Sequence, residues 1–474
     1  MTTEQALIAE LRAQNEALRA ENEKLQAEII WLKERLGLNA ENSSIPPSQK
    51  PVRKSKLSPL AGRKRGGQPG HPGVSREALP LEAIDRIVSC PPPVYCSCGG
   101  ELEPTGEYVS QQQYVLPEIQ IETIAYQRQK AVCTRCARTQ IAPLPPGTAP
   151  GLSDNRLLSW AAILGTEYKL SKQKLSRLFE QLLGLKIAPS TLSQQERYLQ
   201  AALNPIYCAL KAEMRNQAVQ SIDETSFRQG NGDRQNPEAK QAWLWVQTSP
   251  LLTVFTLALS RGQKVLEELL GPDFVHKIVS DRFGAYEILA LSQRGVCWAH
   301  LIRDFLRISE RSAAAGELGE ALVSLSARVF AVRARYLSGE LAQTEFFKEM
   351  DRLRNELIEL LESGVQLTGA RRSENARTAR TCQNLLKLET ALWRFVETAG
   401  MEPTNNAAER ALRPLVTQRK VLYGTQSERG SRFQERMHSV IATCKQQGKS
   451  AVDICTQSLQ AYFGHGQIPS LLPG

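Results

Sequence analysis

The stretch AVQSIDET (residues 218–225) decides the fold, because it is an apolar, strand-like run that carries acids at its end. Two more runs of apolar, β-branched and aromatic residues follow at 242–246 and 251–259, which predicts a meander of three strands. A helix-like segment at 263–270 then precedes HKIVSDRFGAY (residues 276–286), another apolar strand that ends in an acid. Antiparallel strands followed by strands that alternate with helices predict a mixed sheet covered by helices.

Two acids, Asp223 and Asp281, are expected at the ends of these strands. Carboxylates at adjacent strand ends can converge at one edge, where two divalent cations about 4 Å apart would activate water or a hydroxyl for in-line phosphoryl displacement. Oxygen ligands favour Mg²⁺ or Mn²⁺. A single acid is usually a solvated surface group. The interpretation as metal ligands therefore rests on the fact that both acids follow apolar strands. Glu224 is expected to point to the opposite face of its strand.

The third candidate acid, Glu409, lies in PTNNAAERALRP (residues 403–414). Two structural interpretations compete with a role as a metal ligand. Asn406 and Glu409 fit a helix capping box, and Glu409 with Arg413 fits an i, i+4 ion pair. The stretch between Asp281 and Glu409 is rich in Leu, Ala, Glu and Arg, which predicts a helical insertion in the sheet domain.

The N-terminal 40 residues carry a heptad pattern. Leucines recur every seven residues, and a second series precedes each of them by three; the positions are Leu11, Leu18, Leu25 and Leu32, with Ile8, Asn15, Asn22, Ile29 and Leu36. Apolar heptads with two asparagines on the seam predict a coiled coil that pairs as a parallel dimer. The alternative is one amphipathic helix packed on its own protein.

A basic segment, residues 41–85, follows. No acid occurs between Asn42 and Arg76, a stretch rich in Pro, Gly and Ser, and the segment cannot bury enough to fold alone. Its charge suits contacts with DNA phosphates that are independent of base sequence, against the alternative of an idle linker. The candidate DNA contacts are Lys50, Arg53, Lys54, Lys56, Arg63, Lys64 and Arg65.

Two cysteine pairs, Cys96 with Cys98 and Cys133 with Cys136, predict a small zinc-binding module at residues 86–147. Four thiolates suit tetrahedral Zn²⁺, although the first pair has one intervening residue rather than two. Buried free thiols remain the alternative, and they account for the isolated cysteines. Residues 148–215 are expected to be helical, either as a helix-turn-helix DNA-binding region or as an ordinary helical hairpin.

The length and charge of the chain limit its possible domain number, partners and location. A chain of 474 residues predicts several domains, and its net charge of +10 favours a polyanionic partner. Its apolar runs are too short to span a membrane and its N-terminus is not a signal peptide, so we expect a cytoplasmic protein with no membrane partner. Ten cysteines in such a chain argue against a disulfide framework.

The chain resembles the insertion-sequence 66 family of bacterial transposases over nearly its whole length. The resemblance rests on DET (223–225), SDRFGAY (280–286), CWAH (297–300), NNAAERALRP (405–414), RKVLYG (419–424) and GGQPGH (66–71). It implies a multidomain chain with an N-terminal coiled coil, a small zinc-finger-like module, a helical region and an α/β catalytic domain of the ribonuclease-H-like fold. That domain would span 216–437 with an all-α insertion at about 301–400, followed by a helical tail at 438–474.

The resemblance also implies an activity. Asp223, Asp281 and Glu409 would be the metal-binding DDE triad of a transposase that binds the ends of its own element, cleaves DNA and transfers the strand. Arg410 and Arg413 are candidate phosphate clamps, and Arg419 and Lys420 are further candidate DNA contacts. Expected partners are double-stranded DNA, a second copy of the chain and companion proteins of the same element in the bacterial nucleoid. A DNA-binding protein with an inactive domain and a nuclease acting on RNA/DNA hybrids are the alternatives. His300 could orient DNA or ligands, but a lone histidine after a strand is more often a satisfied structural residue.

Overall fold

The computed structural model describes residues 14–16, 18, 21, 78–311, 313–369 and 373–473. The predicted coiled coil lies outside these residues except for five helical positions, and the basic candidates between Lys50 and Arg65 lie outside them altogether. The chain divides into two compact units, Pro51–Thr123 and the remainder. None of the helices in the described ranges has both the length and the apolarity needed to cross a membrane.

The smaller unit has little regular structure in its described part. It contains a short 3-10 helix, Leu81–Ala83, and an isolated bridge between Tyr95 and Glu101. Two hydrogen bonds join Leu79 to the side chain of Gln112. The hairpin of β1 (Lys130–Val132) and β2 (Thr139–Ile141), which carries the second cysteine pair, belongs to the larger unit, so the unit boundary falls inside the predicted 86–147 module.

Four helices precede the sheet: α1 (Asn155–Thr166), α2 (Lys172–Leu183), α3 (Pro189–Ala202) and α4 (Asn204–Asn216). Gly184 ends α2 in a left-handed conformation, φ +65°, which glycine adopts without a Cβ clash. Leu175 and Phe179 of α2 share a small core with Ile187 and Leu192. Residues 148–215 are therefore helical as expected, and both the helix-turn-helix and the hairpin interpretations fit.

Five strands form the sheet of the larger unit: β3 (Val219–Phe227), β4 (Ala242–Thr248), β5 (Thr253–Ala258), β6 (Lys277–Ser280) and β7 (Arg294–Val296). Their order is β5-β4-β3-β6-β7. β3, β4 and β5 pair antiparallel, whereas β6 joins β3 and β7 joins β6 in parallel. The mixed, helix-covered sheet predicted from the sequence is confirmed.

The two faces of the sheet are buried by different helices. Ile222 and Trp245 pack with Leu266 of α5 (Gln263–Leu270) on one face. Leu244 and Val246 pack with Leu412 of α12 (Asn406–Leu422) on the other. Because side chains alternate along a strand, Asp223 shares the α12 face and Glu224 lies on the α5 face.

A helical region separates β7 from α12. Its helices are α6 (Trp298–Ser309), α7 (Ala313–Leu337), α8 (Gln343–Val365), α9 (Glu374–Lys387), α10 (Glu389–Leu392) and α11 (Arg394–Glu397). Their core, with Leu322, Leu357 and Trp393, is continuous with Val279 of β6 and Val296 of β7. These helices lie in the range where the all-α insertion was predicted, about 301–400, and they share their core with the sheet.

Two more helices complete the unit, α13 (Glu428–Gln446) and α14 (Ala451–Tyr462). The predicted boundary between catalytic domain and tail at residue 437 is wrong, because it cuts α13, which runs beside the edge strand β5. The backbone N–H groups of Thr253, Phe255 and Leu257 donate to the side chains of Thr443, Ser439 and Glu435. Four residues of helix advance about 6 Å and two residues of strand about 6.6 Å. Successive acceptor side chains of α13 therefore lie opposite successive outward N–H groups of β5.

Candidate active site

Asp223 on β3 and Asp281 just after β6 have equivalent positions relative to the ladder that joins these two parallel strands. The ladder pairs Ser221 with Val279, and each aspartate follows its member of that pair by two residues. Asp223 lies in the middle of β3, opposite Val246, and not at the strand end predicted from the sequence. Asp281 follows β6 directly, and one of its carboxylate oxygens accepts the Phe283 N–H at 2.9 Å.

Glu409 reaches this site from the first turn of α12. The capping box expected from Asn406 and Glu409 is absent, because the N-cap is Asn405 and its side chain caps no backbone N–H of the helix. The Asn405 amide instead donates to the Ile222 carbonyl at 2.8 Å, and the Asn405 N–H donates to Cys297 Sγ at 3.1 Å. Asn405 thus fastens the start of α12 to the residue before Asp223.

The expected ion pair between Glu409 and Arg413 does not form either. Among the ion pairs of the described residues, the partner of Glu409 is His300, with 3.9 Å between Nδ1 and the carboxylate. Asn405 was missed as a positioning residue, since its sequence context offered only the asparagine pair before the helix.

The three acids act on one another electrostatically. Burial, followed by repulsion from Glu224, raises the pKa of Asp223 to about 8, and the charges of Asp281 and Glu409 raise this pKa further while the Glu224 N–H opposes the shift. Carboxylates crowded in a partly buried place favour a bound cation or a retained proton. All three acids offer carboxylate oxygens, the ligands that Mg²⁺ and Mn²⁺ take, and the two-ion site stays a prediction.

Glu224 points to the opposite face, as the strand alternation predicted. Its carboxylate accepts from Arg261 Nε at 2.7 Å and from the Tyr286 hydroxyl. The Arg261 guanidinium also lies over the Phe283 ring, 3.6 Å from its centroid. Burial raises the pKa of Glu224, and the Tyr286 and Arg261 contacts oppose that rise. Glu224 is therefore part of a buried structural network beneath the acids.

His300 is not the satisfied structural residue that the sequence suggested. Its Nδ1 and Glu409 Oε1 are both buried atoms without a hydrogen-bond partner. Burial, followed by the positive charge of Arg303, lowers the pKa of His300, which favours the neutral imidazole. Cys297, one turn earlier, is fully buried, and burial raises the pKa of its thiol.

The part of the chain that carries these residues is similar to a known family. The model of the Transposase IS66 family matches residues 150–433, a range that contains all three acids. The chain belongs to the IS66 transposase family. A second family model, of unknown function and called DUF6444, matches residues 2–77 of this IS66 transposase.

Two proteins of Sinorhizobium fredii are similar to this IS66 transposase. The uncharacterized protein y4qI is 26% identical over 459 residues, which is 90% of this chain and 81% of the relative. The uncharacterized protein y4hP is 24% identical over 392 residues, which is 76% of this chain and 69% of the relative.

The candidate DNA contacts of α12 fall into two groups. Arg410, Arg413 and Lys420 are exposed. Arg419 is half-buried, and its guanidinium donates to Ser226 Oγ at 2.7 Å and also to the Ser226 carbonyl. Arg419 therefore ties the end of α12 to β3, which makes it a structural residue of the IS66 transposase in this conformation.

The two cysteine pairs lie in tight turns, one in each unit. Hydrogen bonds from the backbone of Cys98 lower the pKa of Cys96, and hydrogen bonds from the backbone of Cys136 lower the pKa of Cys133. A lowered pKa favours the thiolate, the form that binds metal. The zinc module of these four cysteines stays a prediction.

Proposed function

We propose that this IS66 transposase is a DDE enzyme that cleaves DNA at the ends of its own element and joins the freed strand to target DNA. The observation that carries the proposal is that Asp223 on β3 and Asp281 just after the neighbouring β6 have equivalent positions, and that the charges of Asp281 and of Glu409 in α12 both raise the pKa of Asp223. The strand order β5-β4-β3-β6-β7, antiparallel and then parallel, supports the ribonuclease-H-like fold for this domain.

Each residue has a distinct task in this proposal. Asp223, Asp281 and Glu409 would hold two Mg²⁺ or Mn²⁺ ions, which when bound activate water or a 3′-hydroxyl for in-line attack on a phosphodiester. The Phe283 N–H fixes the carboxylate of Asp281. Asn405 sets the position of Glu409 by holding the start of α12 against β3.

Phosphate recognition is assigned to the exposed face of α12. Arg410 lines a cavity of about 470 Å³, whose walls include Ser221 and Thr248, on the face of the sheet that carries Asp223. Guanidinium groups bind phosphate bidentately, so Arg410 and Arg413 are suited to hold the DNA backbone next to the acids. The basic segment between Lys50 and Arg65 would add contacts that depend on salt and not on base sequence.

The proposal includes partners and location. The residues of the N-terminal heptads would join two or more copies in the cytoplasm, so that two element ends are handled together. Companion proteins of the same element would assist, and the four paired cysteines would hold a structural Zn²⁺. Double-stranded DNA is the substrate, at the element ends and at the target.

The test replaces the Glu409 carboxylate with an uncharged amide of the same size. Glu409→Gln is expected to lower Mg²⁺-dependent nicking and strand transfer on a duplex carrying the element's end by at least about 100-fold, because a metal ligand is lost. DNA binding, measured by fluorescence anisotropy, should stay within about twofold, since Glu409 contacts no phosphate in this proposal.

Glu320→Gln is the matched control, because Glu320 is an exposed acid of α7 that lies outside the cavity lined by Arg410. It should keep full activity. Equal activity of wild type and Glu409→Gln would contradict the triad, and cleavage confined to RNA/DNA hybrids would favour a hybrid-specific nuclease.

A further inference from the structure

Three metal-binding side chains of different chemistry meet at the starts of two helices. Cys297 is the N-cap of α6, His300 lies in the first turn of that helix, and Glu409 lies in the first turn of α12. The Cys297 sulfur, a His300 ring nitrogen and a Glu409 carboxylate oxygen all lie within 4.8 Å of one another. In the described part of the chain, this is the one such group of three.

Two of these donors are left without a partner. His300 Nδ1 and Glu409 Oε1 are buried and make no hydrogen bond, and they face each other across 3.9 Å. That separation is too long for a hydrogen bond. Buried polar atoms are almost always satisfied, so two neighbouring atoms that both lack a hydrogen bond suit a ligand that binds both of them.

The chemistry of the donors selects the ligand. Sulfur, imidazole nitrogen and carboxylate oxygen together suit Zn²⁺, whereas Mg²⁺ prefers oxygen alone. Zn²⁺ binds these atoms at about 2.0–2.3 Å in tetrahedral geometry, which places ligand atoms roughly 3.3–3.8 Å apart. To reach that geometry, the separations between the donor atoms must shorten by about 1.5 Å at most.

The surroundings of the sulfur fit the same assignment. The Asn405 N–H donates to Cys297 Sγ at 3.1 Å, a contact that stabilises a thiolate and fixes its direction. The same Asn405 is anchored on the Ile222 carbonyl, so the two helix starts that supply the donors are held together by one buried side chain.

We propose that Cys297, His300 and Glu409 form a binding site for Zn²⁺ or a similar borderline divalent cation, with a fourth coordination position open. The site differs in ligand type from the oxygen site of Asp223 and Asp281 and from the four paired cysteines. It shares Glu409 with the proposed catalytic triad, so an ion held here withdraws Glu409 from Mg²⁺. Zinc is therefore expected to oppose the Mg²⁺-dependent reaction.

Cobalt titration of the full-length protein tests the site, because Co²⁺ replaces Zn²⁺ and its bonds to thiolate absorb light. Wild type is compared with Cys297→Ser, with His300→Gln and with the control Cys382→Ser, which alters an equally buried thiol in α9. Cys297→Ser should bind one Co²⁺ fewer per chain and lose part of the thiolate-to-cobalt absorption, whereas Cys382→Ser should match wild type. The predicted zinc module is unchanged in every variant, so the difference isolates this site.

His300→Gln decides the matter if Cys297→Ser does not fold, as judged by circular dichroism. It should weaken binding of the same ion by more than about tenfold, a loss that even second-shell changes can reach. Stoichiometry and absorption equal to wild type in the folded variants would overturn the proposal. No DNA is used, so such a result would leave the proposed strand cleavage standing.

Discussion

The carboxyl group of Asp223 makes the stability of this fold depend on pH. Its pKa is raised from the ordinary value of 3.8 to about 8, mainly by burial. Between these two values the native protein holds a proton that the unfolded chain has lost. The free energy of unfolding therefore falls as the pH rises through this range, and the stabilisation is gone above the native pKa.

Without divalent metal, the melting temperature of the wild type is expected to fall between about pH 4 and pH 8, and Mg²⁺ should reduce the fall because the cation replaces the proton. Asp223→Asn removes the titrating group, so its melting temperature should depend less on pH and on Mg²⁺. Thermal unfolding monitored by circular dichroism at several pH values measures both effects. If the melting temperatures of wild type and Asp223→Asn changed with pH in the same way, the role assigned to this carboxyl would be contradicted.

The individual residues of the site differ in how far the sequence predicts them. Asp223 and Asp281 follow apolar runs, so their place on the sheet could be predicted from patterning. The local pattern around Glu409 favoured a helix cap, and the family resemblance favoured a ligand. The anchoring by Asn405 and the unpaired Nδ1 of His300 depend on contacts between segments more than 100 residues apart, which no local pattern encodes.

At the scale of elements, the contact between α13 and β5 closes one edge of the sheet. An exposed edge strand offers unpaired backbone groups to other chains, and proteins commonly cover such edges. Here Glu435, Ser439 and Thr443, spaced four residues apart, accept the outward N–H groups of β5. The family resemblance implied a helical tail beginning only at residue 438. The strand partners of α13 lie 178 to 190 residues away in sequence, so no local pattern reveals the contact.

Ser439→Ala is expected to lower the free energy of unfolding by about 1–3 kcal/mol, because the buried Phe255 N–H loses its acceptor. Ser458→Ala is the matched control: Ser458 is equally buried, and its hydroxyl donates only within its own helix, to the Ile454 carbonyl at 2.6 Å. Urea unfolding measures both variants. Equal losses would mean that the contact with the strand adds nothing to the stability of the larger unit.

For the larger unit as a whole, the helical insertion and the sheet form one cooperative body. Leu357 of α8 is fully buried in the core that also contains Val279 of β6 and Val296 of β7. A core shared in this way transmits a local loss of packing to both parts. The sequence predicted the insertion from its helical composition, whereas its fusion with the sheet core depends on packing that composition does not reveal.

Leu357→Ala is expected to lower the free energy of unfolding by about 2–5 kcal/mol through loss of burial and the cavity left behind. Amide hydrogen exchange should then accelerate in β6 as well as in α8, because both open together. Leu337→Ala, at an exposed position of α7, serves as the control and should change neither. Faster exchange confined to the insertion would show that it opens independently of the sheet.

The long interval between Asp223 and Glu409 has a consequence for protein synthesis. Roughly 190 residues separate the two acids, and a ribosome needs roughly 10–40 s to add them at about 5–20 residues per second. During that time the nascent chain carries the strand aspartates without the helix that supplies the third acid. A chain truncated before α12 would therefore have only part of the proposed metal site, so the proposed chemistry on DNA would await the synthesis of α12.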